Sequence, residues 1–148
     1  MIIRIRFYHN EILKIMNMRY RDLGVFGKAE EIVEITSAII ASFRDDVEEN
    51  GLIAQLMMEN ALRLPAKIAN AEGGDIYSHR LDNAVLIKLA ARELNSQTYL
   101  CKQLELTDPV YLRLLRTEIE TFRHLFLDWV DTFDPTNDIV DEWNFRLT

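Results

Sequence analysis

The side chains that could do chemistry are few. Histidine stands only at His9, His79 and His124, and the one cysteine is Cys101. Glu120 and His124 are four apart, but a carboxylate-bridged di-iron bundle takes a Glu-x-x-His motif on two helices and a further Glu from each of the other two. No second motif of that kind occurs, so no metal site and no cofactor is predicted. Helical ribonucleases that set an arginine about four to six residues before a histidine use the pair to hold the scissile phosphate and move its proton. Arg116 and His124 have seven residues between them, which puts them two turns apart on a helix. Arg4 and His9 have the spacing but lie in a strand-like stretch, where helix-face geometry does not apply. Cys101 has no activating histidine at a recognisable spacing and reads as a small core residue. The run Glu72, Gly73, Gly74, Asp75 lacks the lysine and the preceding strand of a phosphate loop. The chain is predicted not to be an enzyme, with an Arg/His ribonuclease as the second alternative.

Candidate contact residues are charged. Arg63 and Lys67 are four apart on one helix face, together with Glu59, so either phosphate contact or, in preference, a local salt bridge is available to them. Arg92 is a third candidate for nucleic-acid or partner contact. Arg113, Arg116 and Arg123 are interleaved with Glu118 and Glu120, which reads as a solvated mixed face. Met57 and Met58 read as one core and one rim residue, with an adaptable protein-binding surface as the alternative.

Those positions must be held by helices. The chain has 148 residues, enough for one domain, and only five glycines and three prolines, too few to turn an all-β chain. Its 24 acidic and 17 basic side chains give a net charge of −7, which argues against wrapping nucleic acid through global charge. A lone cysteine excludes an internal disulfide and suits a reducing compartment. Charges recur too often for a membrane span, and Arg4, Arg6 and His9 make the opening too polar for a signal peptide. A cytoplasmic chain without membrane contact is expected.

The clearest element runs from Asp108 to Phe133. Asp108 can cap it, Pro109 suits the first helical position, and Leu112, Leu115, Ile119, Phe122, Phe126, Trp129 and Phe133 form an unbroken heptad seam. Between Asp22 and Phe43 a similar row comprises Phe26, Ala29, Val33, Thr36, Ile40 and Phe43. Ile32, Ile35 and Ile39 add a second stripe, predicted as spare surface for an oligomer interface. A helix ending at Ala71 carries Ile53, Met57, Leu64 and Ile68, with Pro65 predicted to interrupt and kink it. Ser78 to Leu106 is apolar at Leu81, Val85, Leu86, Leu89, Ala90, Leu94, Cys101 and Leu104. The prediction is an all-α, antiparallel up-down four-helix bundle over residues 19–134. Residues 3–7 and 143–148 alternate as strands do, in a net basic leader (1–18) and a net acidic tail (135–148) that read as disordered, with a terminal ribbon as the alternative. Met18 is a second candidate for the start of the chain.

The segment YRDLGVFGKAEEIVEIT resembles the opening motif of the four-helix-bundle proteins encoded by intervening sequences of bacterial 23S ribosomal RNA genes. Asp22, Leu23, Val25, Lys28 and Ala29 fall in place, with Tyr20 and Phe26 at aromatic positions. In LIAQLMMENALRLPAKIANAEGG, the residues Leu52, Gln55, Leu56, Pro65, Ile68 and Ala69 match the family's second motif. Met57 and Met58 replace its paired arginines, Lys67 replaces its asparagine, Asn70 and Ala71 stand at its Glu-Gly ending, and Glu72-Gly73 comes two residues late. LAARELNSQTYL is similar to a third motif, with Ala91 and Arg92 at its Gly-Ser pair. The resemblance spans residues 19 to 134. It implies a homo-oligomeric, usually pentameric barrel of bundles without established catalytic activity, and a related branch serves reverse transcriptases of diversity-generating retroelements as an accessory protein. The resulting expectation is a non-catalytic, self-associating scaffold or binding module with a protein partner such as a reverse transcriptase. Direct RNA binding through Arg63, Lys67 and Arg92 is the alternative.

Overall fold

A computed structural model describes residues 20–139 and 142–143. Four helices account for the body: α1 (Gly24–Ala41), α2 (Asn50–Ala71), α3 (Tyr77–Gln103) and α4 (Pro109–Val130). Each packs on its sequence neighbours, and α1 closes the ring against α4. Connectors 42–49, 72–76 and 104–108 are short, which forces consecutive helices to run antiparallel. Hydrogen bonds place the connectors at alternate ends. At one end Arg44 N donates to Leu106 O at 2.9 Å, and the hydroxyls of Ser42 and Thr107 are 2.6 Å apart. At the other, Tyr77 N donates to Asn137 O at 2.8 Å. The all-α antiparallel four-helix bundle expected from the sequence is the fold observed. The strand-like stretches at 3–7 and 144–148 lie outside the described residues, while Trp143 sits in a turn.

Helix α4 follows its pattern residue by residue. Asp108 caps it by accepting from Val110 N at 2.9 Å, Pro109 opens it, and all six seam residues from Leu112 to Trp129 are buried. Phe133 continues the seam beyond the helix, its ring edge-on to Trp129 at 4.8 Å.

Helix α1 departs from its expected role. Ile32 and Ile39, expected at an oligomer interface, are 0% and 4% exposed inside the protein's own core, and Ile35 is half-buried against it. Val33, Ile40 and Phe43 of the expected seam sit half-buried on the flank. The cause is the closed ring: a helix packed on both α2 and α4 uses an apolar arc wider than a single heptad seam. Lys28 ties the helix to α4, donating to Glu118 at 2.7 Å and to Glu31 at 2.6 Å, and those bonds raise its pKa above the ordinary lysine value.

Pro65 does not interrupt α2, which is one helix of 22 residues. Interior proline costs about 3 kcal/mol, whereas each fully buried side chain of the size of Met57, Leu64 or Ile68 returns roughly 1.5–3 kcal/mol. Three such anchors outweigh one missing backbone bond.

In α3 the expected core row is partly wrong. Ala90, Leu94 and Cys101 are buried, but Val85, Leu86 and Leu89 face outward, while Asn83, Gln97 and Thr98 face inward. Asn60 of α2 donates to Gln97 at 3.2 Å, so the buried amides satisfy each other across the helix pair. The helix ends in a Schellman turn: Leu106 N reaches back to Cys101 O at 3.0 Å, and Glu105 takes φ 53°. That left-handed conformation strains a side-chain-bearing residue by about 1 kcal/mol. Glu105→Gly is therefore expected to raise stability by about 0.5–1 kcal/mol in urea unfolding, where a lowered midpoint would contradict the strain.

The start of α3 has no cap of its own at Ile76. Asp138, from the stretch read as a disordered tail, supplies it, accepting from Ser78 N at 3.1 Å and Ser78 Oγ at 2.5 Å. A carboxylate there also complements the positive end of the helix.

Candidate functional site

The three cations singled out in the sequence do not converge. Arg63 stands on α2, its Nη1 at 3.4 Å from Asn60 Oδ1, and Lys67 stands one turn further along. Among the described residues neither forms the expected ion pair with Glu59, whose carboxylate accepts from Gln55 at 3.2 Å instead. Arg92 belongs elsewhere, in a groove between α3 and α4.

In that groove charged and apolar side chains meet. It has a volume of about 460 Å³ and lies between α3 and α4. Lys88 and Arg92 enter from α3, one turn apart. Arg116 and Arg123 enter from α4, two turns apart. Ile119, Phe122, Phe126 and Leu127 supply the apolar wall.

The four cations are held differently. Arg116 donates to the buried Thr98 hydroxyl at 3.1 Å and lies over the Tyr99 ring at 4.5 Å, which fixes the guanidinium before any ligand arrives. Arg123 is spent on Glu120 through a two-pronged bond at 3.0 and 2.6 Å, which holds the Glu120 carboxyl below the ordinary carboxylate range. Lys88 and Arg92 form no ion pair among the described residues. The mixed-face reading of α4 thus holds for Arg123 and fails for Arg116, whose guanidinium is packed. Sequence reasoning missed Lys88 and the convergence of the four. The signal was available: antiparallel neighbours bring an i, i+4 basic pair on α3 opposite an i, i+7 pair on α4.

The other candidates stay apart. His124 is exposed and lies 3.4 Å from Glu120, outside the groove that Arg116 lines. His79 Nε2 is 3.3 Å from the Asn70 carbonyl, and Arg4 and His9 lie outside the described residues. Among the described residues no three His, Cys, Asp or Glu side chains gather as metal ligands, and no helix is long and apolar enough to cross a membrane. Met57 is core and Met58 half-buried, the split read from the sequence.

Cys101 is fully buried, 3.5 Å from the Met57 sulfur, and burial pushes its thiol from 9.0 up to about 11. The folded state holds this proton more tightly than the unfolded chain. The stability the thiol contributes is complete below pH 9 and is lost as pH rises to about 11. Urea unfolding of wild type and Cys101→Ala should show a gap that is constant at neutral pH and shrinks across that window by an amount of order 2 kcal/mol. A gap independent of pH would contradict the assignment.

No protein-family model matches the chain, and no curated protein matches it. Fold and groove together define the class as a four-helix bundle with a basic-rimmed surface site.

Proposed function

We propose that the protein is a non-catalytic bundle that self-associates and serves as a scaffold or binding module for a macromolecular partner. One observation carries this reading: large apolar side chains left in water along the outside of α2 and α3. On α3, Val85, Leu86 and Leu89 are 45–50% exposed within little more than one turn. On α2, Leu52 and Leu56 lie one turn apart and Leu62 follows, all exposed. Isolated exposed leucines are ordinary, but runs of them on adjacent helices mark surfaces that are covered in use. The surfaces in this reading are those exposed rows, in place of the α1 stripe that the bundle itself consumes.

The resemblance to the intervening-sequence proteins supports a homo-oligomer, pentameric on that family's pattern, and an acidic bundle that docks a basic partner such as a reverse transcriptase. Net charge −7 supports the same direction, since it favours a basic partner over a polyanion. Direct RNA contact has less behind it, because Arg63, Lys67 and Arg92 are divided between two places. Combining Leu86→Glu with Leu89→Glu is expected to convert an oligomer into monomer in size-exclusion chromatography with light scattering, at unchanged helicity. An oligomer of undiminished mass would remove this face from the assembly.

A further inference from the structure

We infer that the groove between α3 and α4 is a binding site for a small amphiphilic anion, an apolar body carrying one carboxylate, sulfonate or phosphate head. This goes beyond the scaffold reading and does not depend on it. Three observations meet at this place. First, Lys88, Arg92 and Arg116 line the groove without a carboxylate paired to any of them, and the carboxylate that lines it with them, Glu120, is taken up by Arg123, in a chain whose acidic residues outnumber its basic ones by 24 to 17. Second, Arg116 is fixed by the Thr98 hydroxyl at 3.1 Å and by stacking on Tyr99, so binding a head group there costs little side-chain ordering. Third, Leu127, 46% exposed, lines the groove beside the cations, with the buried rings of Phe122 and Phe126 behind it, so the hydrocarbon open to a ligand there is chiefly that of Leu127.

Charge and size select the ligand class. A volume of about 460 Å³ suits a small organic molecule, for which pockets run roughly 300–1,000 Å³. Nucleic acid would need a basic track several phosphates long and would meet the repulsion of the whole acidic chain at every phosphate. A monoanion meets that repulsion once and gains the apolar wall, which a phosphate backbone cannot use. The head group sits on Lys88, Arg92 and Arg116, and the body lies along α4 over Leu127.

The test uses 1-anilinonaphthalene-8-sulfonate as a fluorescent probe and laurate as competitor, on the full chain, with circular dichroism confirming the fold of each variant. Expected are saturable binding, displacement by laurate, and amide shifts in a ¹⁵N spectrum confined to residues lining α3 and α4 at the groove. Lys88→Gln combined with Arg92→Gln should weaken binding about tenfold, and Leu127→Asp should weaken it at least as much. Arg63→Gln with Lys67→Gln should leave it unchanged. Equal affinity in the Lys88/Arg92 variant, shifts centred on Val85, Leu86 and Leu89, or displacement of the probe by a short RNA but not by laurate would each overturn the assignment.

Discussion

Phe122→Ala is expected to lower the unfolding free energy by about 3–5 kcal/mol, a loss comparable with much of the stability of a domain this size. Among the described residues Phe122 is the largest fully buried side chain, 1% exposed at the middle of the α4 seam. Its ring stacks on Phe126 at 6.1 Å, and the series runs on through Trp129 at 6.2 Å to Phe133. Removing it deletes the transfer free energy of a phenyl ring and leaves a void that rigid neighbours cannot close. Urea unfolding followed by circular dichroism measures the effect. A loss under about 1.5 kcal/mol would mean that the groove side of the bundle collapses into the space.

Glu72→Ala is expected to cost about 2–3 kcal/mol, although Glu72 stands just past the end of α2, in a run that the sequence marked only as lacking the features of a phosphate loop. A carboxylate at a helix C-terminus is unfavourable in itself. What keeps it is tertiary: it accepts the Trp129 indole N–H at 2.7 Å and pairs with Arg80, joining the end of α2 to the start of α3 and the end of α4. Arg80 is largely shielded from water, and its guanidinium lies 4.1 Å from the Phe133 ring centre. Alanine at 72 strands that cation and the indole together. Glu72→Gln keeps an acceptor for Trp129 and should lose less, while Arg80→Ala combined with Glu72→Ala should lose less than the two single changes summed. Strict additivity would show that the two side chains do not act as a pair.

What could be read from the sequence depended on whether one helix or two decide the outcome. Helix α4 was legible to the residue because Asp108, Pro109 and a strict heptad agree and its polar face is unambiguous. Helix α3 was not. Its apolar and polar residues are scattered around the whole circumference, so periodicity could not tell Leu94 from Leu89, and the inward turn of Gln97 becomes favourable only when Asn60 of α2 is there to bond it. The double stripe of α1 was seen but misassigned, since a ring of four helices needs an arc where a coiled coil needs a line. The cap from Asp138 joins positions 60 residues apart and has no local signal at Ser78. For the groove, each basic pair was visible on its own helix. Their meeting required the topology, and the pinning of Arg116 required Thr98 and Tyr99 in place.

In the proposed reading this bundle presents apolar surface which a second copy covers. Sedimentation velocity of the wild-type chain over a range of micromolar concentrations tests it most directly. A discrete species at an integral multiple of 17.3 kDa is expected, persisting at high salt because its contacts are apolar. A single 17.3 kDa species at every concentration would contradict it.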